Sequence, residues 1–402
     1  MDFNEATLDF IRRHAGDDVS LLALQAGKYP GVDMPAALAQ IAGRQRMKAK
    51  VPSWATREGL VYPPHLPLEQ CSSEEAARHK ADIVEQAGGE KHMLVDLTGG
   101  FGVDCAFLST LFDKTVYVER QEALCKAARH NFPLLGLPAI EVHNADSTAY
   151  LKQMPTASLI FIDPARRDSH GGKTVAIADC EPDVAALEPL LLQKAPRVLV
   201  KLSPMLDIAR ALKELKHVRA VHIVSVAGEC KELLLVLGRG EPLPADDIPL
   251  HCTNLQSGQP DFCFTRRQEQ QSPCPLAQAV GAYLYEPNAS ILKAGAFRSL
   301  TYIYKVKKLH ANSHLYTADE PVPHFPGRKF RVEGCCGFAK KEVARMLGTD
   351  AKANLTVRNF PATVAELRKR LHLADGGDRY LFATTLADGR KVLIDCRAAS
   401  LS

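Results

Sequence analysis

Val95-Asp96-Leu97-Thr98-Gly99-Gly100-Phe101-Gly102-Val103-Asp104 decides how this chain is read. The stretch closes a short apolar run over 93–97 and opens a segment with helical spacing. Gly99, Gly100 and Gly102 permit positive φ and let a ligand come close to the backbone. Open α/β sheets bind ligands outside the carboxyl ends of their strands, where such a loop lies. The carboxylate of Asp96 suits a positively charged amino group, and a loop built for phosphate would have little use for it. Gly100-Phe101-Gly102 also begins a G-x-G-x-x-G pattern, but Cys105 stands where the third glycine would fall.

Outward from this loop, short apolar runs alternate with amphipathic segments. Strands are predicted over 93–97, 115–118, 140–143, 159–162, 198–202, 220–226 and 233–237. Continuous apolar runs separated by helices indicate a mostly parallel sheet covered on both faces. The last two runs, joined near Gly228-Glu229-Cys230-Lys231, read as an antiparallel hairpin at the sheet edge. Before the sheet, helices are predicted over 6–14, 34–47 and 73–87, with a proline-rich, irregular 51–67 between the last two. Ser72 and Glu75 have the spacing of a capping box. This region reads as a helical lid on the substrate side or as a structural brace.

After Gly238 the pattern changes again. Mixed short strands and a helix near 288–294 are followed, over 329–397, by strand, helix (340–347), strand (355–358), helix (364–371) and two strands (380–385, 391–395). That is a compact α+β module. The predicted divisions are a helical region 1–90, an α/β domain 91–240, a middle region 241–328 and a C-terminal module 329–402.

Composition narrows the class. A 402-residue chain of ordinary apolar content can hold several domains. Residues 1–13 lack the basic-then-apolar order of a signal peptide, and no apolar run is long enough for a membrane span. Eleven scattered cysteines without any C-x-x-C read as thiols in a reducing compartment, so a cytoplasmic protein without a metal is expected. The spacing of Cys252, Cys263 and Cys274 fits no usual metal site. Charge is unevenly placed. Between 328 and 372 stand eleven Lys or Arg against four Asp or Glu, in a chain whose net charge is only +4. Such a segment suits a polyanion, or is simply a solvated basic face.

Acids end the successive predicted strands. Glu119, followed by Arg120, ends the second and suits ribose hydroxyls. Asp146 follows the third, placed for an adenine amino group, and Asp163-Pro164-Ala165-Arg166 follows the fourth. With motif I at Asp96 to Asp104, the chain resembles class I S-adenosylmethionine (SAM)-dependent methyltransferases over roughly 70–240. Seven strands ending in a hairpin suit that Rossmann-like fold better than a dehydrogenase. The resemblance implies SAM as cofactor, held by Asp96, Thr98, Gly99, Gly100, Gly102, Asp104, Glu119, Arg120, Asp146 and Asp163. Asp163, Pro164 and Arg166 would be the catalytic group.

A narrower resemblance rests on Asp163-Pro164-Ala165-Arg166-Arg167, Lys201-Leu202-Ser203-Pro204-Met205 and Gly228-Glu229-Cys230-Lys231-Glu232, with Tyr285-Glu286-Pro287-Asn288 and Lys293-Ala294-Gly295 further on. These are similar to bacterial THUMP-like domain-containing methyltransferases with a ferredoxin-like middle region. The resemblance implies a C-terminal THUMP-like domain and an RNA-modifying role on tRNA or rRNA. Methyl transfer mainly needs alignment of a nucleophile. Asp163 and the carbonyl after Pro164 can orient an amine or ring nitrogen and stabilise its developing positive charge. Ala165 and Arg166 depart from the Asp/Asn-Pro-Pro-Tyr/Phe of nitrogen-directed nucleic-acid enzymes, in which an aromatic stacks on a flipped base. A uridine carbon-5 reaction would need a nucleophilic cysteine, for which Cys230 is the best placed; a structural role is the reading favoured for it. Arg166 and Arg167 open a polar loop with Gly171-Gly172-Lys173 that either closes over substrate or is a surface loop. Lys340, Lys341, Arg345 and Arg358, with Arg368, Lys369 and Arg370, can form a phosphate-binding face, with Lys341 and Arg345 on one side of a helix; otherwise they are ordinary exposed residues. The alternatives are a small-molecule or protein methyltransferase, or a SAM- or RNA-binding protein without catalysis.

Overall fold

The computed structural model describes residues 3–63, 65–166, 176–348 and 352–400. The side chains of His65, Leu66, Arg166 and Lys340 lie outside the described part as well. The chain divides into two compact units, Met1–Arg219 with Leu234–Pro242, and Ala220–Leu233 with Leu243–Ser402.

In the first unit, side-chain caps start the helices. Asn4 accepts from Thr7 N–H at 2.8 Å to start Glu5–Arg13, and Asp33 caps Met34–Lys50. Phe10, Leu22, Met34, Ala37 and Ile41 make the core of this helical region. A second cluster joins Met47, Val51, Trp54, Tyr62 and Leu68 to Phe101, Val103, Tyr117 and Phe132. The helical region and the α/β sheet therefore share one core. Each of its large aromatic or aliphatic side chains contributes roughly 1.5–3 kcal/mol by leaving water. The irregular stretch 51–67 holds two short helices, Pro52–Ala55 and His65–Gln70. It is tied down by side chains, Gln40 to the backbone N–H and C=O of Tyr62 and Asn131 to those of Val61.

The expected cap at Ser72 is corrected. Ser73 caps the helix Glu74–Gln86 and accepts from Ala76 N–H. Ser72 instead donates its hydroxyl to Asp104 at 2.8 Å, because a buried carboxylate draws any donor within reach.

The α/β strands are β1 Met93–Asp96, β2 Lys114–Glu119, β3 Ile140–Asn144, β4 Leu159–Ile162 and β5 Arg197–Leu202. All pair in parallel, in the order β3-β2-β1-β4-β5. The chain winds outward from β1 through β2 to β3, then returns to β4 and continues the other way to β5. The crevice between the carboxyl ends of β1 and β4 is therefore the switch point of the sheet, where ligands bind. The hairpin β6 Val218–Val226 and β7 Glu229–Gly238 turns at Ala227 and Gly228, both with positive φ, as a two-residue turn requires. Its open end belongs to the first unit and its closed end to the second. In strand order β7 comes directly after β5, and β6 follows it. This is the Rossmann-like seven-stranded arrangement expected from the sequence.

The hairpin does not end the sheet, contrary to expectation. In the second unit, β8 Pro249–Leu255 pairs in parallel with β6, and β9 Phe262–Thr265 pairs antiparallel with β8. A free β6 edge would expose a row of backbone donors and acceptors, and β8 covers it. The second unit also holds β10 Tyr283–Pro287, β11 Lys307–Lys308, β12 Tyr316–Ala318, β13 Gly327–Cys336, β14 Asn354–Arg358, β15 Arg379–Thr385 and β16 Lys391–Ala398. They form one sheet in the order β11-β12-β10-β13-β16-β15-β14. Leu284, Phe330, Phe382 and Ile394 pack in one of its cores, and Val343, Leu367, Leu381 and Leu393 in another, under the helices Lys340–Leu347 and Val364–Leu371. Among the described residues, no helix is long and apolar enough to cross a membrane.

Candidate active site

The glycine loop leaves the end of β1 and turns into the helix Val103–Ser109, with Gly102 as its N-cap at φ 88°. Packing demands glycine at two of its positions. A Cβ on Gly99 would lie 2.1 Å from the Tyr117 ring, and one on Gly102 would lie 2.9 Å from Phe132. Tyr117 is fully buried and donates its hydroxyl to Gly100 C=O at 2.5 Å, so the ring braces the loop from below. Glu119, at the end of β2, accepts from Gly100 N–H at 3.0 Å and from Gln121 N–H at 2.8 Å. Thr98 hydroxyl oxygen accepts from Asp163 N–H at 2.6 Å, which ties the loop to the end of β4.

Asp96 is buried beneath this loop and accepts from Thr98 N–H at 3.0 Å. Burial pushes its carboxyl well above the usual carboxylate range, and the charges of Asp104, Asp163 and Glu119 add to the effect. A cationic ligand group beside it would relieve that cost. The cradle that a Cβ would fill and a buried acid without a counter-charge among the described residues together fit the methionine end of SAM. A ligand ammonium should lower that carboxyl again, so binding should release protons wherever the free carboxyl still holds one. Calorimetric titration of SAM over a pH series, in two buffers of different ionisation enthalpy, is expected to show a net proton release that Asp96→Asn abolishes. Equal heats in the two buffers for the wild type would mean that Asp96 is already ionised.

The other acids are dealt out differently. Asp104 is buried and already partnered. Lys80 Nζ lies 3.2 Å from its Oδ1 and Lys201 Nζ 3.4 Å from its Oδ2, beside the Ser72 bond. Burial alone would raise its carboxyl, but the two ammonium groups and the hydroxyl hold it down at about 2. Lys201 also reaches Asp163 Oδ2 at 2.6 Å. Asp146 caps the helix Ser147–Gln153 through Ala149 N–H. Arg120 is exposed and paired with Glu181 at 3.3 Å. Pro164 is buried, and Ala165–Arg166 pairs with Cys180–Glu181 as a short antiparallel bridge. Arg167 and Gly171-Gly172-Lys173 lie outside the described residues, as does the side chain of Arg166. Thus Asp96, Thr98, Gly99, Gly100, Gly102, Glu119 and Asp163 meet in one crevice. Lys80 and Lys201 were missed as members of its charge network. Lys201 carried a signal, being a charge set inside the apolar run Val198-Leu199-Val200-Lys201-Leu202.

In the second unit, Lys341 and Arg345 are exposed on the helix Lys340–Leu347. Arg358 instead pairs with the buried Glu286 at 2.9 Å, and Arg328 reaches the same carboxylate. Burial pushes the Cys230 thiol up to about 11, against the activated thiolate that covalent catalysis would need.

Residues 283–326 match a ferredoxin-like domain family and 327–398 a THUMP domain-like family. The two matched spans contribute to the same sheet, through β10 and β13. The crystal structure of a "putative methyltransferase from Porphyromonas gingivalis W83" is similar to this chain at 36% identity and a TM-score of 0.87. It covers 99% of this chain and 100% of that one. An rRNA methylase from Streptococcus thermophilus is similar at 14% identity, over 40% of this chain and 94% of its own, with a TM-score of 0.32. The structure of "a putative methyltransferase from streptococcus mutans in complex with SAH" is similar at 15% identity, over 40% and 95%, with a TM-score of 0.31. Likenesses that slight bear on neither substrate nor cofactor. Among curated proteins, the comparison found no match.

Proposed function

The chain belongs to the family of methyltransferases in which a Rossmann-like domain is joined to ferredoxin-like and THUMP-like domains, and on that premise we propose that it transfers a methyl group from SAM to a nucleotide of tRNA or rRNA. The observation that carries this reading is the buried, unbalanced carboxyl of Asp96 under a glycine cradle whose rim holds Glu119 and Asp163. SAM supplies the methyl group on a sulfonium, from which a neutral thioether leaves readily. Asp96 would accept from the ammonium of its methionine part, Glu119 from ribose hydroxyls and Asp146 from the adenine amino group. Thr98, Gly99, Gly100 and Gly102 shape the approach. Asp163 would accept an N–H of the methyl acceptor and stabilise the positive charge that grows there. Pro164 and Arg166 would complete the catalytic group.

RNA would be held by the basic C-terminal module, with Lys340, Lys341 and Arg345 facing phosphates and Arg358 supporting the fold through Glu286. We keep 1–90, 91–240, 241–328 and 329–402 as the functional divisions, and the cytoplasm as the compartment where such RNA is met.

The test is methyl incorporation from labelled SAM into total RNA of a strain lacking the gene. Label confined to one RNA size class is expected. SAM binding without RNA labelling would move the reading to a protein or small-molecule acceptor. RNA affinity is expected to fall steeply with salt, and replacing Lys340, Lys341 and Arg345 by glutamine should weaken it by about tenfold or more, with a shallower salt slope. Unchanged affinity in that variant would remove this face from the reading.

A further inference from the structure

Lys201 stands near the carboxyl end of β5, where the strand reaches the crevice. Its side chain is only 12% exposed, and Nζ spans Asp163 at 2.6 Å and Asp104 at 3.4 Å. Asp104 passes the contact on to Lys80, whose side chain is wholly buried, and to Ser72. Lys80 also donates to Ser72 Oγ at 3.1 Å and to Ala76 C=O at 3.3 Å. The result is a line of alternating charge, Lys80, Asp104, Lys201, Asp163, running from the helix Glu74–Gln86 to the end of β4. Lys50 and Cys71 of the same helical region feel the charge of Lys201, and Asp96 feels those of Asp104 and Asp163.

Such a line is a costly way to hold a fold together. Buried ion pairs are often no more stabilising than apolar side chains of equal volume. Its exposure, moreover, rises at one end only. Asp104 is 10% exposed and Lys201 12%, whereas the carboxyl of Asp163 is 36% exposed, toward solvent and any methyl acceptor. A lysine suits the middle position, because one ammonium offers three donors and can serve two carboxylates.

We infer that Lys201 is a positioning residue that holds the Asp163 carboxylate for the methyl acceptor, and that the N-terminal helical region takes part in the reaction by anchoring Lys201 through Ser72, Lys80 and Asp104. The inference rests on the methyltransferase reading of the site. It turns the helical region from a brace into a part of the catalytic apparatus. It also gives Asp163 a set orientation, with Oδ2 toward Lys201 and Oδ1 outside that bond.

The experiment compares wild type, K201M, K201R, K80M and the K80M/K201M double variant, using labelled SAM and total RNA from a strain lacking the gene. K201M is expected to lose about 100-fold in kcat, the scale of a misplaced reacting group, with SAM Kd and RNA KM within a few-fold of wild type. K201R, which keeps the charge, should recover much of that loss. K80M should lower kcat by less, and the double variant should be no slower than K201M alone, because both changes break one line. A merely structural role would lower Tm while leaving kcat per folded molecule and the pH profile untouched, and that result overturns the inference. K201Q takes the place of K201M if the latter does not fold. If wild type itself transfers no methyl group, the activity reading fails, and the crystal structure of K201M decides the positioning separately. A displaced Asp163 carboxyl supports it, and an unmoved one overturns it.

Discussion

Asp163→Ala is expected to retain less than about one hundredth of wild-type methyl transfer, in line with loss of one preorganised electrostatic partner of a transition state. SAM affinity should change only a few-fold, because the backbone N–H of Asp163 still donates to Thr98 and the loop keeps its tie to β4. Stability should change by no more than about 1 kcal/mol, since the lost ion pair is partly exposed and Lys201 keeps Asp104. Single-turnover transfer of labelled methyl, SAM titration and thermal unfolding together read these three quantities. Wild-type turnover in the variant would take motif IV out of the chemistry.

Gly99→Ala has the other large effect, for a purely steric reason. Gly99 has no positive φ, so backbone strain does not enter. The new methyl would sit 2.1 Å from Cε2 and 2.5 Å from Cζ of Tyr117. That ring cannot yield easily. It is buried, edge-on to Phe132 with ring centres 5.6 Å apart, and tied by its hydroxyl to Gly100. The loop must lift instead, at a cost of about 1–3 kcal/mol for overpacking, and the cradle over Asp96 lifts with it. SAM affinity should fall by about 100-fold or more. Gly136→Ala is the control, with φ at 81° and open space around the Cβ. It should cost about 1–2 kcal/mol of backbone strain and leave SAM binding intact. Equal SAM affinity in Gly99→Ala and wild type would mean that the loop does not cradle the ligand.

The α/β domain was legible because its strands are local. Runs such as Val116-Tyr117-Val118 and Leu159-Ile160-Phe161-Ile162 are apolar on both faces, and only a covered parallel sheet buries both. Asp96, Thr98, the three glycines, Glu119 and Asp163 were legible for a related reason. Each stands within a few residues of a strand end, and the parallel order brings those ends to one edge. Two readings at the ends of elements went astray. The capping spacing at Ser72 and Glu75 was present, but Asp104, 32 residues away, claimed the Ser72 hydroxyl. The hairpin β6–β7 resembled an edge because the partner of β6 comes from 249–255, beyond a Gly/Pro-bearing break.

By itself, then, the sequence determined the strand and helix order, the glycine loop and the acids that ring it, since periodicity and strand ends are properties of short segments. Tertiary structure alone decided which charges became partners. Asp104 closes the glycine motif, and burial beside Lys80 and Lys201 makes it the link between two distant segments. Arg358 stands in a basic segment, and its partner Glu286 is 72 residues away. A charge leaves water only with a counter-charge, and which one arrives depends on the packing of the whole domain rather than on its neighbours in the chain.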